Sequence, residues 1–414
     1  MNKKNTLWTR DFTIITLGSV VSMLGNAMSG FAMSLLVLDY TDSAFLYALY
    51  IVLFTLPQVV VPVFSGAILD RFSRKKTIYT LDFISAGLYA LTAAVLGAGW
   101  FSFPVLACFC LIVGSINSMY LVAYSSFYPM LIPDGFYSKA YSIASVLETL
   151  SFLMIPVATF VYHSVGIVPL MGANAGCFFI AASMETRIGA QEEYVDLQKR
   201  NVQAASRAKQ MFLDVREGFR YLAGEKGLQA VALYFTFNSM AYGVENVIIL
   251  PFFKDAFKNG DYLYSLVMGM SVAGRAIGGM IHYRFNMPVR YKFLIAYGVY
   301  IGLSVFSGIY LFLPVPLMMV CCFMTGILGV TSYTIRVSAT QSYVPDERKG
   351  RFNGAFNMLS TVGSLAGELI AGALAMMLPV RAVYLGFQMV CLAAAVVFIG
   401  GNKAHIAPIY NRQK

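Results

Sequence analysis

Carboxyl and guanidinium groups set inside apolar runs are the residues of this chain whose chemistry demands a reason. Glu148, Glu245 and Glu368, with Arg275 and Arg336, all fall in otherwise hydrophobic stretches. A charge at the centre of a membrane helix costs roughly 2.5–3.5 kcal/mol on insertion scales, so each marks a proton site, a ligand contact or a hydrogen-bonded structural group. Glu148 stands about ten residues into its run, roughly 15 Å deep at 1.5 Å rise per residue. That depth is near the midplane and makes it a candidate for proton coupling or substrate binding. Asn238, Tyr242 and Glu245 recur at i, i+4 and i+7, which puts them on one helical face. A polar and aromatic stripe on an apolar helix is expected to line a cavity, or to end a helix among headgroups. Glu368 sits in Gly363-Ser-Leu-Ala-Gly367-Glu-Leu-Ile-Ala-Gly372, where small neighbours fit tight packing or a functional carboxylate equally. Arg275 and Arg336 could snorkel, pair with a carboxylate or attract an anionic ligand. Asp82, near the start of its run, is expected to join the charges at the membrane boundary.

A second group is Gly66-Ala-Ile-Leu-Asp70-Arg71-Phe-Ser-Arg74-Lys75, an apolar run that ends in a basic turn. Gly66 allows close helix approach. Asp70 at the boundary can face a helix N-terminus, a contact worth roughly 0.3–1 kcal/mol and up to ~2 when partly buried. Arg71, Arg74 and Lys75 can pair with carboxylates or lipid phosphates. A contact that exists only when one side of the molecule is closed biases one of two conformations, so the motif is expected to act as a gate rather than as a plain basic loop. Its expected partner is the loop Asp346–Arg351, including Arg348.

The elements that must hold these groups are membrane helices. Of 414 residues, 58% are hydrophobic and 12% charged, against about 25% charged in an ordinary soluble domain. Apolar runs long enough to cross a ~30 Å hydrocarbon layer recur along the whole chain. They lie near 12–38, 45–69, 77–98, 104–131, 139–163, 167–186, 228–252, 263–283, 292–313, 316–343, 351–378 and 380–400. The expectation is an all-α integral membrane protein of twelve transmembrane helices. No run looks like a cleavable signal.

The net charge of +10 could suggest nucleic acid. Most Lys and Arg, however, fall on one set of loops and tails, which makes the charge a topology signal and puts both termini in the cytoplasm. Contact with anionic membrane lipids is secondary. The six Cys all lie in apolar runs, with neither metal-ligand spacing nor a disulfide framework. No metal and no cofactor are expected.

Landmarks recur 212 residues apart: Gly66 with Gly278, Tyr79 with Tyr291, Gly114 with Gly326, and Pro133-Asp134 with Pro345-Asp346. The second copy of the basic motif is degenerate, with His282 where Asp70 stands and Tyr283 where Arg71 stands. This divides the chain into six-helix pseudo-repeated halves, 1–188 and 227–414, joined by a polar stretch at 189–226. In that join Met211, Val215, Phe219 and Leu222 share a helical face, so an amphipathic helix at the membrane surface is expected. Two similar hydrophobic halves imply a secondary transporter built from repeats. A membrane enzyme finds no HExxH, Gly-x-Ser-x-Gly or His/Asp cluster to stand on, and a primary pump finds no Walker A run.

The Gly-x-x-x-Asp-Arg-x-x-Arg-Lys spacing resembles the loop signature of the major facilitator superfamily. Ser22-Met-Leu-Gly25, Thr41-Asp-Ser43, Pro57, Glu217-Gly-Phe-Arg-Tyr-Leu222 and Gln341-Ser-Tyr-Val-Pro-Asp346-Glu-Arg348-Lys-Gly350-Arg351 extend it over most of the chain. Together they resemble the branch that holds macrolide-efflux proteins and the enterobactin exporter. The resemblance implies the major facilitator fold, a monomer in a bacterial inner membrane, and proton-coupled efflux of an amphipathic small molecule by alternating access. The alternatives are a uniporter or importer of a lipid-related or anionic metabolite and, more remotely, a non-transporting sensor. Three departures stand out. Ser73 replaces the family's usual Gly, the fourth run (104–131) lacks an Arg, and the fifth has Pro156 without the Gly-Pro-Gly-Gly motif of drug–proton antiporters.

Overall fold

Turn-forming residues cut the apolar runs into helices. The computed structural model describes residues 6–61, 73–133, 136–190, 216–284 and 287–411, some of them as backbone only. Helix α1 spans Arg10–Thr41 and starts at Thr9, whose hydroxyl accepts from the amide of Phe12 at 3.2 Å. It stops at Asp42, which takes the left-handed conformation at φ 46°, a geometry that Asp tolerates better than most residues. Helix α2 follows at Ala44–Thr55. Helix α3 covers Arg74–Gly97 and is capped by Ser73, whose hydroxyl accepts from the amide of Lys76 at 3.1 Å. The Ser that departs from the family pattern is thus the N-cap of this helix, a role for which Ser is among the preferred residues.

Helix α4 (Phe103–Phe127) carries Pro in its first turn, where a missing amide proton costs nothing. Helices α5 (Tyr137–Val165) and α6 (Ile167–Glu185) follow, and 216–224 is a further short helix. Then come α7 (Lys226–Ala256), α8 (Gly260–Arg284), α9 (Lys292–Ile309), α10 (Val315–Tyr343), α11 (Asp346–Leu374), α12 (Val380–Ala394) and α13 (Lys403–Tyr410). Helix α11 begins five residues before the expected start at 351. Hydropathy ends a span at its last apolar residue, whereas Pro345 at the N-cap and Asp346 in the first turn start a helix outside the apolar zone.

Among the described residues, eight helices are long and apolar enough to cross a membrane: α1 to α4, α6, α9, α10 and α12 with their flanking turns. The expected spans at α5, α7, α8 and α11 fall outside that set, α5 contributing only the shorter apolar stretch Met154–Val165. Asn238, Glu245 and Asn246 lower the mean hydropathy of α7, Arg275 that of α8, and Glu368 with its Gly and Ser neighbours that of α11. The chain is a multi-pass all-α membrane protein, with no strand among the described residues.

The chain forms two compact units. One comprises Met1–Asp42 and Leu53–Gln210, the other Ser43–Val52 and Met211–Lys414. Within the first, α1 packs on α5 and α6, and α3 on α4 and α6. Within the second, α7 packs on α11 and α12, and α9 on α10 and α12. The pairings recur with an offset of six helices. Gly114 and Gly326 show the same recurrence in atomic terms. On α4, a Cβ at Gly114 would overlap the carbonyl oxygen of Phe54; on α10, one at Gly326 would overlap that of Ser271. Small residues at these points let backbones touch, as dispersion-driven helix packing in lipid requires.

The first unit has a core around Phe12, Ile15, Ala123, Phe127 and Ile188. In the second, Val231, Tyr234, Phe293 and Tyr300 pack with Ile406, Ile409 and Tyr410 of α13. The Tyr300 and Tyr410 hydroxyls share a hydrogen bond of 2.8 Å inside this core.

Candidate functional site

Four of the residues singled out in the sequence converge in the second unit. The seam between α7 and α11 brings them there. A Cβ at Gly243, Gly363 or Gly367 would overlap the backbone of the facing helix, so the two helices run in main-chain contact. Glu245 follows Gly243 on α7, and Glu368 follows Gly367 on α11. Glu368 is 1% exposed. Its Oε1 accepts from Ser364 Oγ at 3.3 Å, and the Asn246 amide lies beside the carboxyl. Glu245 faces the Tyr384 hydroxyl of α12 and is within Coulombic reach of Arg275 on α8. Tyr242 is within range of Arg275, Glu245 and Glu368 together. Tyr47 of α2 donates to the Asn246 carbonyl oxygen at 3.4 Å. The result is a patch of two carboxyl groups, one guanidinium and several tyrosine hydroxyls, buried at Glu368, half-buried at Glu245 and exposed at Tyr242 and Arg275. Such a patch can bind a polar ligand, move a proton, or do both.

Asn238, although on the same face of α7 by spacing, is held elsewhere: its Oδ1 is met by Cys391 Sγ of α12 at 4.0 Å. Arg336 occupies a separate site. Its guanidinium lies over three rings, 4.6 Å from the centroid of Phe356, 5.1 Å from Phe235 and 5.4 Å from Tyr333. Each such contact is worth about 0.5–2 kcal/mol, more where water is excluded. Among the described residues no carboxylate pairs with it, and its buried Nε has no hydrogen-bond partner. The rings hold the cation in place without neutralising it.

Of the basic motif, Gly66, Asp70 and Arg71 lie outside the described residues. Arg74 donates from Nη1 to the Ser126 carbonyl oxygen at 3.1 Å, at the end of α4. Lys75 donates to the Ile188 carbonyl oxygen at 2.8 Å, just past α6. Both therefore tie the start of α3 to the ends of its neighbours. His282, at the corresponding place in the second copy, hydrogen-bonds Thr331 of α10 through Nε2 at 2.8 Å.

The start of α11 is tied to the short helix 216–224. Arg351 pairs with Glu217 at 2.6 Å, Arg348 lies 5.1 Å from the ring centroid of Tyr221, and a Cβ at Gly218 would overlap the Arg351 carbonyl oxygen. On that helix Leu222 is buried, while Arg216, Glu217 and Arg220 are exposed. Met211 and Val215 lie outside the described residues. The side chains of Glu148 and Asp346 are outside them as well; their backbones belong to α5 and α11.

Asp82 does not join a boundary charge cluster. It is 2% exposed and meets Glu185 of α6, which is fully buried. Glu185 was missed in the sequence because it closes an apolar run, where a carboxylate reads as solvated. The signal available was the density of Ser and Asn on α1, at Ser19, Ser22 and Asn26, which marks a polar interior.

Comparison with known proteins agrees with this architecture. The family model described as transmembrane secretion effector matches residues 5–405. Macrolide efflux protein A of Streptococcus pyogenes is 25% identical over 384 residues, 88% of each chain. The uncharacterized MFS-type transporter YkuC of Bacillus subtilis is 23% identical over 308 residues, 72% of this chain and 70% of its own. Among solved structures, a bacterial homologue of the iron transporter ferroportin in its inward-facing state superposes with TM-score 0.67 at 13% identity, covering 94% of this chain and 98% of that one. A D-xylose–proton symporter superposes with TM-score 0.68 at 13% identity, covering 95% and 97%. At these identities the structural likeness speaks to the fold alone.

Proposed function

Because the chain belongs to the transmembrane secretion effector family of major facilitator transporters, we propose that it exports an amphipathic small molecule across the bacterial inner membrane, by alternating access and at the expense of the proton gradient. The observation that carries this reading is the meeting of Glu245, Glu368, Arg275 and Tyr242 on α7, α8 and α11. Ionisable groups gathered at one place in a membrane protein are there for a ligand or an ion. Macrolide efflux protein A, similar over most of its length, supports a cargo of that class. Twelve spans in two six-helix halves, both termini cytoplasmic, are the matching topology; the six-helix offset of the pairings supports the repeat. Gly66, Asp70, Arg71, Arg74 and Lys75 act as a cytoplasmic gate together with Asp346, Arg348 and Arg351. Protons are the driving ion: each 100 mV supplies about 2.3 kcal/mol per charge moved.

The test uses everted membrane vesicles with an imposed acid interior. Erythromycin, a lipophilic cation, a catechol siderophore and a lysolipid are added in turn, and proton release is followed. Release on adding one compound, absent in Asp70→Asn protein inserted at the same level, supports export through the gate. Equal release in wild type and variant removes the gate. Silence across the panel removes proton-coupled export of this class.

Arg336 favours a second reading, an anionic cargo. Its charge is boxed by three rings and left without a carboxylate among the described residues. Higher flux of an anionic compound than of its neutral ester would support it.

A further inference from the structure

The first unit buries two carboxyl groups against each other. Asp82 lies on α3, and Glu185 is the last residue of α6; they are 2% and 0% exposed, and their carboxyl groups are neighbours. Helix α1 closes over them at Gly18, where a Cβ would stand 3.2 Å from Glu185 Oε1. Two ionised carboxylates in contact and out of water repel strongly, and one proton between them turns that repulsion into a short, strong hydrogen bond.

The surroundings supply no other counter-charge. Among the described residues no Lys or Arg pairs with either carboxyl. Helix α4 presents Tyr120, with Tyr124 behind it, and α1 presents the neutral Thr16 and Ser19. On α3 the Lys75 ammonium is bonded to the Ile188 carbonyl oxygen, two turns away. Arg187 lies two residues beyond Glu185, and α5 presents no titratable side chain to the pair among the described residues.

Three hydroxyls beside the pair point to a ligand that exchanges hydrogen bonds. Thr16 and Ser19 are only 4% and 3% exposed. Their Oγ atoms, like the Tyr120 hydroxyl, Asp82 Oδ2 and both Glu185 carboxyl oxygens, are buried with no hydrogen-bond partner among the described residues. Buried polar groups are rarely left so. A cavity of about 140 Å³ opens in front of Ser19 and Tyr120, lined also by Asn26, Asp82 and Asn117 among others. Most of its wall is apolar, from residues such as Val113, Ile116 and Phe178, yet these polar groups also line it, and its volume has room for several waters.

We propose that Asp82 and Glu185 form a proton-binding site that holds one exchangeable proton between their carboxyl groups and trades it with water through the α1/α3/α4 cavity, with Ser19 and Tyr120 as the hydroxyls along the way. The exchange is acid–base chemistry alone. An O–H bond forms on a carboxylate oxygen as one breaks on a hydronium ion in the cavity, which leaves as water, and release is the reverse. Use of this proton to drive transport rests on the export reading above; the site itself does not.

The experiment is infrared spectroscopy of the full chain reconstituted in liposomes, in H2O and D2O, followed on the carbonyl band of protonated carboxyl groups. Wild type is compared with Asp82→Asn, Glu185→Gln and the double variant, each checked for an unchanged melting temperature. The expected result is a D2O-sensitive band in wild type that is lost in the double variant and displaced in each single one. An unchanged band in the double variant overturns the site. So does loss of the wild-type band on adding sodium or calcium chloride at constant pH, which would make the pair a cation site. A second arm separates the two readings. Proton release triggered by erythromycin should fall to background in the double variant, and release at the wild-type level would overturn a coupling role for the pair. Absence of release from wild type alongside a normal infrared result would sink proton-driven export and leave the site standing.

Discussion

Gly218 and Arg351 touch through their main chains: the Arg351 carbonyl oxygen occupies the space that any Cβ at position 218 would need. Gly218→Val should therefore force the short helix off α11 and destabilise the second unit by about 1–3 kcal/mol, the usual cost of overpacking. The neighbouring ion pair between Arg351 and Glu217 is half exposed, so Glu217→Gln should cost at most about 1 kcal/mol. Thermal unfolding of the detergent-solubilised variants separates the two; a larger loss in Glu217→Gln would reverse the ranking.

Ser73 is the N-cap of α3. Ser73→Ala should lower stability by about 0.5–2 kcal/mol, whereas Ser73→Gly, the family's usual residue, should cost only a few tenths. Equal melting temperatures for both would mean that the Ser73–Lys76 bond contributes nothing in the membrane-embedded protein.

The three rings around Arg336 distinguish a planar cation from a spherical one. Arg336→Lys keeps the charge and loses the stacked geometry, so it should retain part of the flux while melting earlier. Arg336→Gln should lose the flux of an anionic compound and keep that of a neutral one. Identical fluxes in Arg336→Gln and wild type for both compounds would reduce Arg336 to a packing residue.

Glu368 separates packing from chemistry. Gly367→Val places methyl groups on the Met240 main chain and should abolish the folded protein. Glu368→Gln keeps the bond from Ser364 and should leave folding intact while lowering transport at least about tenfold. Size-exclusion profiles and vesicle flux, measured on the same preparations, check both halves. Full flux in Glu368→Gln would leave the carboxyl a structural role only.

Much of this was legible in the residues themselves. Gly114 and Gly326 stood out as a pair by their spacing of 212 residues, though not as the close backbone approaches that they are. Glu245, Arg275 and Glu368 stood out because a charge in an apolar run is costly wherever it falls. Asp82 and Glu185 were not legible. Each lies near the end of an apolar run, and whether a carboxylate there is wet or covered depends on a third element, α1 at Gly18, which no local pattern reports. The start of α11 was hidden for a related reason: hydropathy follows the membrane, and the helix continues past it.

The hydrogen bond between Tyr300 and Tyr410 has a consequence for how the molecule is made. Ile406, Ile409 and Tyr410, all nearly or fully buried, are core side chains of the second unit, yet they are translated after every other described helix of that unit. The first unit needs nothing from this tail to close its own core, so it can pack while synthesis continues, in the N-terminal-first order usual for growing chains. The second cannot finish until α13 has emerged. A nonsense mutation before residue 403 would release a chain with an open apolar wound, a substrate for membrane proteases rather than a weakened transporter.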